Sequence, residues 1–196
     1  KSLWQIYGLG IQAIVEGLIF KEIEIIDEFP SWAKKQSIGL DFGFTNDPTA
    51  GIKCGILDDS LFLDELFYRT QMLSSDIIRE LRNHHLDVIS DSADPRLIQE
   101  ISNGGISIYP VEKFQGSIMA GITKMLEYKI KITKRSINLI KEFRNYTFQQ
   151  DKEGRWLNKP IDAYNHGIDA SRYFVLGQLL GRIMITRQYS KEDLGL

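Results

Sequence analysis

Over residues 38–44 apolar positions alternate with small or acidic ones. Ile38, Leu40, Phe42 and Phe44 share one face of a strand, and Gly39, Asp41 and Gly43 the other. A carboxylate in mid-strand between two glycines leaves that face an open acidic notch. Residues 49–57 and 61–68 read as two more strands, joined as a hairpin at Asp58-Asp59-Ser60. The period then lengthens. Ser74-Ser75-Asp76 offers a helix N-cap, and Ile77, Ile78 and Leu81 form the inner stripe of a helix reaching about His85. Residues 88–91 are a short strand, and Asp94-Pro95 is a cap with proline at the first helical position. That helix runs to about Asn103, ends at Gly104-Gly105 and precedes a strand over 106–111. A helix over 117–128, a strand over 130–133, a helix over 136–146 and a hairpin over 148–157 follow. The last clear element is a helix from about Asp162 to Leu180.

Residues 1–35 differ in character. An apolar cluster (Leu3, Trp4, Ile6, Tyr7, Leu9, Ile11) precedes a loosely alternating stretch that exits at Pro30, read as one strand at the sheet edge or at the end of a preceding unit. Residues 36–185 form the main domain and 186–196 a polar tail. Three strands leading into strand–helix–strand crossovers predict an α/β fold: a mixed sheet flanked by helices on both faces, in the ribonuclease H-like order.

Composition narrows the function. The chain has 196 residues, 43% hydrophobic and 26% charged, enough for one domain with a real core. A net charge of −2 argues against sequence-blind coating of DNA by bulk charge. The single cysteine, Cys54, excludes an internal disulfide framework and a cysteine-rich zinc site. No apolar run reaches the roughly 18–20 residues of a membrane span.

Three acids sit where this strand order converges. Asp41 lies on the first strand, Asp91 ends the neighbouring strand, and Asp169 lies on the last helix. At about 100° per residue, Asp162, His166, Asp169 and Tyr173 fall within roughly 60° of one another on that helix, nearly opposite Tyr164, Ile168, Val175 and Leu179. One side should pack and the other present an acid–histidine row. Converging carboxylates repel and raise each other's pKa, so they suit hard divalent cations better than structure. Two such ions about 3.5–4 Å apart activate a water and stabilise the leaving oxygen of a phosphodiester. His166 suits ligation, water orientation or proton transfer.

These residues resemble the nuclease domain of the large terminase subunit of tailed bacteriophages, the motor that cuts and packages concatemeric DNA. The resemblance rests on Trp4, Tyr7-Gly8-Leu9-Gly10, Glu16-Gly17-Leu18-Ile19, Gly39-Leu40-Asp41-Phe42-Gly43-Phe44 and Asp47-Pro48-Thr49-Ala50. It continues through Asp91-Ser92-Ala93-Asp94-Pro95, the run from Ser136 to Glu142, Asn145-Tyr146 and Asn165-His166-Gly167-Ile168-Asp169-Ala170-Ser171-Arg172-Tyr173. It implies a ribonuclease H-like endonuclease in which Asp41, Asp91 and Asp169 bind two Mg²⁺ or Mn²⁺ ions and His166 belongs to the site. It also implies double-stranded DNA as substrate, portal protein and small terminase subunit as partners, and action in the host cytoplasm at the procapsid portal, with no membrane. The full subunit of that family carries an N-terminal ATPase, and no G-x-x-x-x-G-K-[ST] loop occurs here. Residues 1–35 then read as the segment leaving that absent motor, and no ATPase activity is expected.

Plainer readings stand beside these. Asp94 and Asp162 suit helix caps, Cys54 the core, and Trp4 and Trp156 packing. Lys124, Lys129, Lys131, Lys134 and Arg135 form a basic run that suits either a solvated face or a phosphate-contacting track. A junction-resolving nuclease of the same fold shares the acids. An actin-like ATPase shares the Asp41-Phe42-Gly43 loop but needs a second phosphate loop and a longer chain. A portal or procapsid docking module would leave the acids without a purpose.

Overall fold

The computed structural model describes residues 16–179. The cluster at Leu3–Ile11 and the 186–196 tail lie outside them. The strands are β1 (Glu24–Ile26), β2 (Lys34–Asp41), β3 (Thr49–Leu57), β4 (Ser60–Arg69), β5 (Val88–Ser90), β6 (Ile108–Pro110), β7 (Lys129–Thr133), β8 (Phe148–Gln150) and β9 (Trp156–Pro160). The helices are α1 (Ser74–Arg82), α2 (Pro95–Asn103), α3 (Ser117–Met125), α4 (Ile137–Phe143) and α5 (His166–Leu179). Seven strands form one sheet in the order β1-β7-β4-β3-β2-β5-β6, and β8 and β9 pair separately. Within the large sheet every pairing is parallel except the two made by β3. The segment over 16–35 thus supplies an edge strand, β1 on β7.

Alternation along β2 works as expected. Ile38 and Leu40 enter a core with Ile77 and Leu81 of α1 and Ile101 of α2. On the opposite sheet face Ile52, Leu61, Leu63 and Ile132 pack with residues of α3, α4 and α5. Cys54 is buried in that core. Asp94 caps α2, its Oδ1 accepting from the Leu97 N–H at 3.0 Å, with Pro95 first in the helix.

Several expectations change. Asp41 is the last residue of β2 rather than its middle, and Phe44 leaves the core face to stand 55% exposed. The glycines explain the early exit: a Cβ on Gly43 would lie 2.3 Å from the Asp47 carbonyl oxygen, where the chain folds back. The notch at Gly39 is not open but filled by the α5 backbone, since a Cβ there would lie 1.9 Å from the Ala170 carbonyl oxygen. Helix α5 is not amphipathic in its setting. Residues 170–176 are all buried, because α5 lies between β2, β3 and β5 on one side and α3 and α4 on the other. It begins at His166, so Asp162 is neither on the helix nor its cap. Trp156 is 44% exposed, with its ring lying over Gly17.

Candidate active site

The parallel pairing of β2 with β5 sets the first two acids side by side. Leu40 pairs with Ser90, and the Asp91 N–H donates to the Leu40 carbonyl oxygen at 3.0 Å. Both acids therefore emerge at the C-terminal edge of adjacent strands, as ligand-binding residues do in such sheets. Helix α5 crosses the same face and brings Asp169 and His166. Asp41 is 7% exposed, and its carboxylate takes two contacts from α5: Tyr173 donates its hydroxyl to Oδ1 at 3.2 Å, and His166 Nδ1 lies 3.1 Å from Oδ2. Burial pushes the Asp41 carboxyl above its ordinary range, and the charges of Asp169 and Asp91 push the same way. The hydrogen bond to Asp41 holds the His166 imidazole above its usual pKa, against its partial burial.

The other two acids are engaged by cations. Asp91 is paired with Lys113, whose ammonium also lies 5.7 Å from the Tyr173 ring centroid. Asp169 Oδ1 accepts from Nε and Nη2 of the buried Arg172, both at 2.9 Å. Among the described residues no three His, Cys, Asp or Glu side chains close into a ligand cluster. The donor chemistry nevertheless fits a hard divalent ion, because the three acids offer only carboxylate oxygen and the charges of Asp169 and Asp91 both bear on buried Asp41.

One functional position carried no role from the sequence. Glu142 on α4 is 2% exposed; its Oε1 accepts from the Tyr68 hydroxyl at 2.7 Å and its Oε2 from the Ile168 N–H at 3.0 Å. It therefore caps the first turn of α5, the turn carrying His166 and Asp169. Gly167 makes room, since a Cβ there would sit 3.1 Å from Glu142 Oε2 and 2.7 Å from Leu139. The available signal was a carboxylate at the i+3 position from Leu139, inside the apolar stripe of α4. Burial lifts Glu142 to about 7, while its bonds from Tyr68 and Ile168 pull it down. The folded state therefore holds a proton that the unfolded chain releases near pH 4.5, so stability falls as pH rises through that window to about 7. The loss is roughly 3 kcal/mol across the window. Glu142→Gln removes the titration. Its melting temperature should gain on the wild type between pH 5 and pH 8, and a gap that does not change with pH would refute this account.

His166 also lines a groove of about 790 Å³ with Tyr68, Asn138, Lys141 and Tyr164. The five residues of the basic run do not gather beside it. Lys129 pairs with Asp59 at the opposite end of the sheet, Lys131 with Glu24 in mid-strand, and Lys124 with Glu127 in the last turn of α3. Lys134 and Arg135, paired with Asp27 and Asp64, lie past the site-proximal end of β7.

Against known proteins, the family profile described as Terminase RNAseH like domain matches residues 41–176. The chain belongs to that terminase family. It is 30% identical over 144 residues to the large terminase subunit of Bacillus phage SPP1, covering 69% of this chain and 34% of that one. It is 27% identical over 141 residues to the PBSX phage terminase large subunit of Bacillus subtilis strain 168. It thus spans about a third of the length of these curated relatives, 34% and 33%. The crystal structure of the SPP1 large terminase nuclease domain with bound Mn superposes at a TM-score of 0.68 with 24% identity, covering 79% of this chain and 95% of that one. The P22 large terminase nuclease domain gives 0.65 and 19%, with 87% and 95% covered. The ribonuclease H-like fold expected from the strand order is the fold found, and the terminase family is the one the motifs resemble.

Proposed function

We propose that this chain is a metal-dependent endonuclease that hydrolyses phosphodiesters of concatemeric double-stranded DNA during packaging. The carrying observation is the approach of Asp91 and Asp169 to a buried Asp41 at the C-terminal edge of β2 and β5. Similar nuclease domains support it, that of SPP1 with bound Mn and that of phage G20c with bound magnesium. Asp41, Asp91 and Asp169 would hold two Mg²⁺ or Mn²⁺ ions, with Lys113 giving way at Asp91. Bound there, such ions supply an activated water and a stabilised leaving oxygen. The protein's own part is placement. Tyr173 and His166 fix the rotamer of Asp41, Arg172 fixes Asp169, and Glu142 fixes the turn that carries His166. His166, at the groove wall, orients the attacking water or passes a proton.

Double-stranded DNA, a portal protein, a small terminase subunit and a covalently linked ATPase domain ahead of residues 1–35 complete the proposal, set in the host cytoplasm. Contact with the DNA backbone falls to Lys134 and Arg135, which follow the end of β7 nearer the site, level with mid-sheet. Lys124, Lys129 and Lys131 are left out of it. The test is conversion of supercoiled plasmid to open and linear forms in EDTA, Mg²⁺ or Mn²⁺. The wild type should cut with metal only, and Asp91→Ala should not cut. No cutting with either metal, or equal cutting by Asp91→Ala, would overturn the proposal.

A further inference from the structure

The loop between β2 and β3 holds an apolar ring in water beside the acids. Phe44 stands three residues beyond Asp41 and is 55% exposed. Its backbone is pinned. The Gln71 N–H donates to the Phe44 carbonyl oxygen at 2.7 Å, and the Thr49 hydroxyl donates to the Gly43 carbonyl oxygen at 2.7 Å. With Gly43 packed on the Asp47 backbone, the loop has little freedom to fold the ring inward. Leu73, on the adjoining β4–α1 connection, is 59% exposed. Phe44, Leu73, Arg96 and Asp91 line a groove of about 740 Å³. On the other flank of the same loop, Asn46, Asp47 and Pro48 line the groove that holds His166. The loop is thus a ridge between a groove that reaches Asp91 and one that reaches His166.

A lone exposed apolar residue is ordinary. Here the exposed ring is held rigidly at the edge of the candidate site, with an apolar neighbour and a guanidinium in the same groove. Asp94 and Glu100 line the same groove, so the exposed ring rather than the groove's charge offers the partner, and nucleobases present the flat apolar faces that match it. Resting on the nuclease reading above, we propose that the 42–48 loop is a DNA wedge whose Phe44 ring stacks on a nucleobase next to the scissile phosphate. Aromatic wedges of this kind partly unstack a base step and bend the duplex.

The test measures duplex binding by fluorescence anisotropy and cleavage in Mn²⁺ for the whole chain. Phe44→Ala should weaken DNA affinity roughly tenfold, Phe44→Leu should do the same, and Phe44→Tyr should stay within about twofold of wild type. Melting temperature and Mn²⁺ affinity should not move, since the ring is exposed and touches no ligand. The wedge is overturned if Phe44→Ala binds DNA as wild type does, or if Leu serves as well as Phe. It is equally overturned if the affinity loss comes with a lower melting temperature or weaker Mn²⁺ binding. A wild type that neither binds nor cuts DNA removes the nuclease reading itself, a result distinct from all of these.

Discussion

Asn in place of Asp41 should abolish cleavage and, in EDTA, make the protein more stable. The two effects share a cause. Asp41 is nearly fully buried, and desolvation together with the charges of Asp169 and Asp91 disfavours its ionised form. A carboxyl raised in the folded state costs stability as pH rises past its unfolded value, so at neutral pH an uncharged isostere relieves that cost. Asn keeps the local bonds: its carbonyl accepts from Tyr173, and its amide donates to the neutral His166 ring. The expected gain is about 1 kcal/mol, or about 3 °C for a chain of this length. Loss of one anionic ligand should lower the Mn²⁺-dependent cleavage rate roughly a thousandfold or more. Adding Mn²⁺ should then reverse the order of melting temperatures, because a ligand stabilises only the form that binds it. Cleavage within about tenfold of wild type would take Asp41 out of the chemistry. A variant that melts lower in EDTA would mean the Asp41–His166 contact holds the fold more than burial strains it.

What the sequence made legible, and what it hid, follows from range. Asp41, Asp91 and Asp169 were readable because strand order alone brings β2, β5 and the last helix together. The Asn165–Tyr173 motif now resolves residue by residue. Gly167 admits Glu142, Ala170 meets Gly39, Arg172 grips Asp169 and Tyr173 reaches Asp41. The hidden features depend on distant partners. The start of α5 is set by a cap from α4, so extending the helix back to Asp162 by periodicity overran it. The burial of α5 on both sides cannot be seen from a stripe that counts only its own residues. The basic run seemed unbalanced because Asp59, Glu24, Asp27 and Asp64, which pair with Lys129, Lys131, Lys134 and Arg135, lie far off in sequence.

Gly39→Ala should be among the most damaging single substitutions in the sheet, and it should disable metal binding without touching a ligand. Its new Cβ would sit 1.9 Å from the carbonyl oxygen and 2.6 Å from the carbonyl carbon of Ala170. Both are backbone atoms of a helix wedged between the sheet and two other helices, so no rotamer change clears the clash. Helix α5 must lift by more than about 1 Å, at a cost of about 3 kcal/mol or more. Asp169 precedes Ala170, so the lift separates it from Asp41, two residues beyond Gly39 on the same face of β2. Gly51→Ala is the comparison. Its Cβ would meet the buried Phe67 ring at 2.4 Å, a side chain rather than backbone, so the cost is that of overpacking, about 1–3 kcal/mol, with α5 left in place. Thermal melts and Mn²⁺ titration separate the two. Gly39→Ala should lose both stability and Mn²⁺ affinity, and Gly51→Ala should keep its Mn²⁺ affinity. If Gly39→Ala binds Mn²⁺ as the wild type does, the contact of α5 with β2 is not what sets the distance between the acids.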